Sequence, residues 1–136
     1  SFGDGPDNVT IPESKWTKDM ELIANEVKRL FKIVHGVPCS FSWLNDPRGY
    51  GGLFDRVGME VSFNKRRLGT KWIRSAVTTR KGYARMLDLA IHEMAHVHSS
   101  SHYNDEFYKG CTRIGAAIAV HLSDAGLPEW FNGGKK

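Results

Sequence analysis

His92, Glu93 and His96 occur in the run His92-Glu93-Met94-Ala95-His96, so two imidazoles lie four residues apart with a carboxylate beside the first. On a helix this spacing puts both rings on one face, one turn apart and about 6 Å between Cβ atoms, which suits two ligands of a tetrahedral Zn²⁺. Glu93 lies about 100° around the helix from His92, placed to reach a water on the metal without occupying a coordination position. The flanking Leu89, Ala90, Ile91, Met94 and Ala95 are apolar nearly all round. Such a helix is mostly buried, and a His-Glu-His stripe on it is left unpaired unless something occupies it. Two solvated histidines with a surface glutamate are the alternative that the pattern alone permits.

A catalytic zinc takes a third protein ligand and keeps a fourth position open. His102 is expected to be that ligand, because Ser99-Ser100-Ser101 compete for the helix backbone and let the chain turn back after His96. His98 would point about 200° away from His96 on a continued helix and is read as a C-terminal or outer group. Asp105 and Glu106 are alternative carboxylate ligands. Asp88, one turn before His92, is either a group that orients this imidazole or an ordinary exposed aspartate.

These residues need a scaffold, and the periodicity supplies one. Trp16, Met20, Ile23, Val27, Leu30, Phe31 and Val34 recur at steps of three and four, which predicts a helix from Ser14 to about Gly36. The period then becomes two, predicting strands over Val37 to Trp43 and Val57 to Phe63. Asn45 to Gly52 between them reads as a loop, either a mobile flap beside a site or a plain connection. Thr70 to Thr79 is ambiguous between a short strand and an arm packed on the surface. A second long helix from Lys81 or Gly82 carries the His-Glu-His stripe, and a third runs from about Asn104 to Ser123. The fold class is α+β, in a single domain over residues 1–136 with residues 1–8 and 133–136 frayed.

The length of 136 residues suits one core and excludes two independent ones. Cys39 and Cys111 are too few for a disulfide scaffold and read as buried thiols, with a single bridge as the alternative. Without an apolar run of about 20 residues or a signal core, the expectation is an intracellular protein, cytoplasmic or nucleoid-associated, with no membrane partner. The first residue is Ser1, which is compatible with a larger parent protein.

Charge is polarised along the chain. Lys65, Arg66, Arg67, Lys71, Arg74, Arg80, Lys81 and Arg85 fall in one stretch without a carboxylate, while the remainder holds 11 Lys+Arg against 15 Asp+Glu. Interleaved with Trp72 and Tyr83, they form either a binding surface for DNA or another polyanion, or a solvated basic face.

The block from His92 to His102, followed by Asn104-Asp105-Glu106-Phe107-Tyr108, resembles the H-E-x-x-H-x5-H region of the small SprT, WLM and YgjP-like zinc metallopeptidases. A metzincin is disfavoured, because Ser99 stands where those enzymes carry Gly and no methionine follows Met94. The resemblance implies a zincin-like domain: a leading helix, a small antiparallel or mixed sheet, the metal helix and a C-terminal helix. It implies one Zn²⁺ on His92, His96 and His102, with Glu93 as general base in hydrolysis of a protein or peptide substrate. Tyr103, Tyr108 or Arg85 would help stabilise the oxyanion, and the strand from Val57 to Phe63 would be the edge strand that receives an extended substrate. Some members act on proteins attached to DNA, which gives the basic stretch a concrete use. The competing class is a non-peptidase zinc or nucleic-acid-binding module of a larger protein.

Overall fold

The computed structural model describes residues 9–97 and 104–131. Helix α1 spans Lys18–His35, starting later than the periodicity predicts. Glu13–Lys15 instead forms a 3-10 turn, and Trp16 lies outside the helix with its indole N–H donated to the Ile11 carbonyl at 3.0 Å. Thr17 caps α1 by accepting from the Met20 N–H at 3.2 Å, and Gly36 ends it at φ 75°. The inward face, including Met20, Ile23, Val27, Leu30 and Phe31, is fully buried.

Three strands follow, β1 (Ser40–Leu44), β2 (Gly52–Asp55) and β3 (Glu60–Asn64), in the spatial order β1-β3-β2. β3 runs parallel to β1, with Trp43 opposite Phe63, and antiparallel to β2, with Gly52 opposite Phe63. This corrects two expectations. The sheet has a strand at 52–55 that the sequence reading missed, and the segment expected at the edge is the central strand. Val57, expected to face inward, is 98% exposed at the hairpin tip. There the Val57 N–H bonds Asp55 Oδ1 at 3.0 Å and Met59 turns the chain at φ 49°. Centrality also explains why Ser62 and Asn64, which read as outward-facing, are buried.

Four helices complete the described residues: α2 (Lys65–Leu68), α3 (Thr70–Thr78), α4 (Arg80–Met94) and α5 (Asp105–Ala125). The segment read as a short strand or a surface arm is instead a helix, because Ile73, Ala76 and Val77 at steps of three and one share its inward face. The α3–α4 corner is tight. Thr79 Oγ1 accepts from the Gly82 N–H at 2.9 Å, and a Cβ on Gly82 would lie 2.1 Å from the Ser75 carbonyl oxygen. Asn104 caps α5, its Oδ1 accepting from the Phe107 N–H at 3.0 Å.

The molecule is a small mixed α+β domain whose core lies where α1, the sheet and α3 to α5 converge. Trp43 and Phe63 meet edge to face at 5.7 Å, and the Trp43 indole N–H donates to the Met20 carbonyl at 2.9 Å. Glu26 is buried in this core, neutralised by Arg29 at 2.7 Å and accepting from the Tyr83 hydroxyl at 2.5 Å, so α1 is tied to α4. Cys39 and Cys111 are free and half-buried, which removes the disulfide alternative. Burial pushes the Cys39 thiol up to about 11. No helix among the described residues is long and apolar enough to cross a membrane.

Candidate metal centre and its cleft

His92 and Glu93 occupy the last turn of α4, and His96 sits on the 3-10 turn Ala95–Val97 into which the helix tightens. The sequence reading continued the helix to Val97; the chain narrows earlier, yet both rings stay together, with centroids 5.4 Å apart and planes at 83°. Buried Phe107 of α5 lies 5.1 Å from each imidazole, so the two rings share one apolar backing. Glu93 is 4% exposed and its Oε1 lies 4.0 Å from His96 Nε2. Burial raises its carboxyl from 4.5 to about 7.

Opposite Glu93 runs edge strand β2. A Cβ on Gly52 would stand 3.1 Å from Glu93 Cγ, Glu93 Oε2 and the Ser62 carbonyl oxygen, so the room for this carboxylate comes from the missing side chain. Between α4 and β2 opens a cleft of about 780 Å³, lined by His92, Glu93 and His96 together with Gly52, Leu53, Phe54 and Arg56. It extends along α4 past Leu89, Asp88 and Arg85 to Leu68, Trp72 and Tyr50.

The entry to β2 is held by buried side chains that the sequence reading did not select. Asn64 Nδ2 donates to the carbonyls of Asp46 at 3.0 Å, Arg48 at 3.2 Å and Tyr50 at 2.9 Å, while its Oδ1 accepts from the Asp46 N–H at 3.0 Å. The Asn64 N–H also binds the Gly51 carbonyl at 2.8 Å. The Asp46 carboxylate accepts from the Arg48 guanidinium and the Tyr50 hydroxyl, and these donors hold it well below the usual carboxylate range. The 45–52 segment is therefore a pinned connection, not a free flap. The sequence signal for it was weak: a polar residue ending a strand next to a Gly-rich loop.

The expected site residues divide into groups. Arg85 and Asp88 are exposed on the cleft wall, whereas Tyr108, 59% exposed, is outside that lining. Asp105 and Glu106 are exposed in the first turn of α5. His98, His102 and Tyr103 lie outside the described residues. Of the basic stretch, Lys65 is half-buried, and Arg66, Arg67, Lys71, Arg74, Arg80 and Lys81 are exposed on α2 to α4. Arg74 is paired with Asp19 of α1 at 3.0 Å.

Among the described residues no group of three or more His, Cys, Asp or Glu side chains is placed to hold a metal. The two imidazoles still make a fitting donor pair for a divalent cation: they share one wall, are backed by Phe107, and face a carboxylate for which Gly52 leaves space. A zinc site needs one more protein donor beyond that pair. No protein-family model, curated protein or solved structure matches the chain.

Proposed function

We propose that the domain is a zinc-dependent endopeptidase of zincin-like architecture, related to the SprT, WLM and YgjP-like enzymes. The observation that carries this reading is the shared cleft wall of His92, Glu93 and His96 facing the strand edge of β2. His92 and His96 would hold Zn²⁺, with His102 as the third ligand. Bound zinc supplies Lewis-acid chemistry, polarising a carbonyl and lowering the pKa of water from about 16 toward 7. Glu93 takes the proton of the attacking water on its carboxylate and passes it to the leaving amine. Phe107 keeps both rings in place and water away from their backs. The outer edge of β2 offers main-chain groups to an extended segment, which favours unfolded over folded substrates.

The decisive experiment joins metal content to cleavage of an unstructured protein. The parent chain should hold one zinc, and Glu93→Gln should keep it while hydrolysis falls by about 10²- to 10⁴-fold. His102→Ala should lose the metal. Undiminished cleavage by Glu93→Gln, or full zinc retention without His102, would remove the respective assignment.

A second reading concerns the basic face on α2 to α4. Arg85 belongs both to it and to the cleft lining, so a bound polyanion would lie beside the proposed site. Single-stranded DNA should bind with an affinity that falls steeply as salt rises. Binding of DNA with no cleavage of any protein would favour the non-peptidase module; no binding at low salt would leave a solvated face.

A further inference from the structure

One end of the cleft is not used by the chemistry just described. Beneath Gly51 the side chains of Leu68 and Leu89 converge, so that a Cβ at Gly51 would lie 3.6 Å from Leu68 Cδ2 and 3.8 Å from Leu89 Cδ1. Trp72 and Tyr50 line the same region, and all four side chains are half-buried rather than sealed in the core. Leu89 is one helical turn before Glu93 on the same face of α4, so this aliphatic floor begins about 6 Å along the axis from the general base. That distance is close to the repeat of alternate residues in an extended peptide, about 6.6 Å.

We propose that Leu68, Leu89 and Trp72 form a subsite for a large apolar side chain of the substrate, adjacent to the bond cleaved. The proposal rests on the peptidase reading of the same cleft and adds its substrate class: extended segments carrying Leu, Phe or a similar residue beside the scissile bond. Three observations select this occupant. The floor is aliphatic and continuous with Glu93; the strand edge alongside it, β2, is unpaired by any other strand among the described residues; and Gly51 contributes no side chain that would fill the space. A nucleobase would also find Trp72 and Tyr50, but the Leu68–Leu89 floor offers it no hydrogen-bonding partner.

The test uses zinc-loaded Glu93→Gln protein, which binds without cleaving, and blocked peptides acetyl-Ala-Ala-Xaa-Ala-amide with Xaa as Ala, Leu or Phe, titrated by NMR. The Leu and Phe peptides should bind about tenfold more tightly than the Ala peptide. Gly51→Ala, whose methyl meets Leu68 and Leu89 at ordinary contact distance, should reduce that preference to less than about twofold while the fold is kept. Leu68→Asn, which puts an amide on the floor, should do the same and guards against misreading one variant. Equal binding of the three peptides, no binding of any, an unaltered preference in both variants, or displacement of the Leu peptide by oligo(dT) would overturn the subsite. Absence of hydrolysis by the parent protein would instead overturn the peptidase reading and leave the binding preference as measured.

Discussion

Gly52 and Glu93 face each other so closely that a single methyl group on the first would sit 3.1 Å from both Cγ and Oε2 of the second. The strand edge and the buried carboxylate are therefore placed by one contact, in which the glycine supplies the space. The backbone oxygen of Ser62 is at the same distance, so the strand cannot simply slide away from an added side chain.

Gly52→Ala should accordingly act on the reaction more than on the fold. The overpacking costs about 1–2 kcal/mol, readable in a denaturant midpoint. Displacing the carboxylate should lower kcat by about 10- to 100-fold with zinc content unchanged. Wild-type kcat in a folded Gly52→Ala protein would show that Glu93 does not need this position.

The pinned approach to β2 predicts a different response. Asn64 is fully buried and bonds three carbonyls and one N–H of the 46–50 segment. Asn64→Ala leaves several of those groups unpaired, at a cost of about 3 kcal/mol. Hydrogen exchange should then quicken at Arg48, Tyr50 and Gly51 before it does in α1. Protection that is lost evenly across the protein would deny the segment a local anchor.

Two of the helical glycines, Gly82 and Gly115, offer a paired check on packing. Gly82→Ala brings its Cβ to 2.1 Å from the Ser75 carbonyl oxygen, a backbone atom on the opposing helix, and should destabilise by about 3 kcal/mol or more. Gly115→Ala meets nothing within 4 Å and should stabilise α5 by about 0.5–1 kcal/mol. Thermal unfolding of both variants measures the contrast, and equal effects would refute the tight α3–α4 corner.

Legibility of the sequence followed the length of the repeat. Helices α1, α4 and α5 each contain enough turns for a three-four pattern to stand out, and His92 and Glu93 lie on one of them, with His96 on the 3-10 turn that follows. β2 is four residues long and begins with Gly52, so it offered no alternation to read. The β3 pattern was legible, but not its place in the sheet: centrality comes from the parallel pairing with β1, a contact between residues about twenty positions apart. That error put the sheet edge on the wrong strand and hid Gly52 and Asn64, whose contacts depend on what lies across from them. The tightening at Ala95 was also invisible, because it leaves the apolar spacing unchanged.

Burial of Glu93 finally sets a pH dependence for the metal-free protein. Its carboxyl ionises at about 7 in the folded chain against 4.5 when solvated, so the folded state holds this proton more tightly than the unfolded one. The associated stability is fully present below pH 4.5 and is lost as pH rises through about 7, a total of about 3 kcal/mol. Glu93→Gln has no such proton to release. In chelator-treated samples, the stability advantage of Glu93→Gln over the parent should therefore grow by about 3 kcal/mol between pH 4.5 and pH 8. Denaturant unfolding at closely spaced pH values checks this, with the difference between the two proteins cancelling the titrating groups remote from position 93. A difference that stays constant across that window would mean that Glu93 ionises in the fold as it does in water.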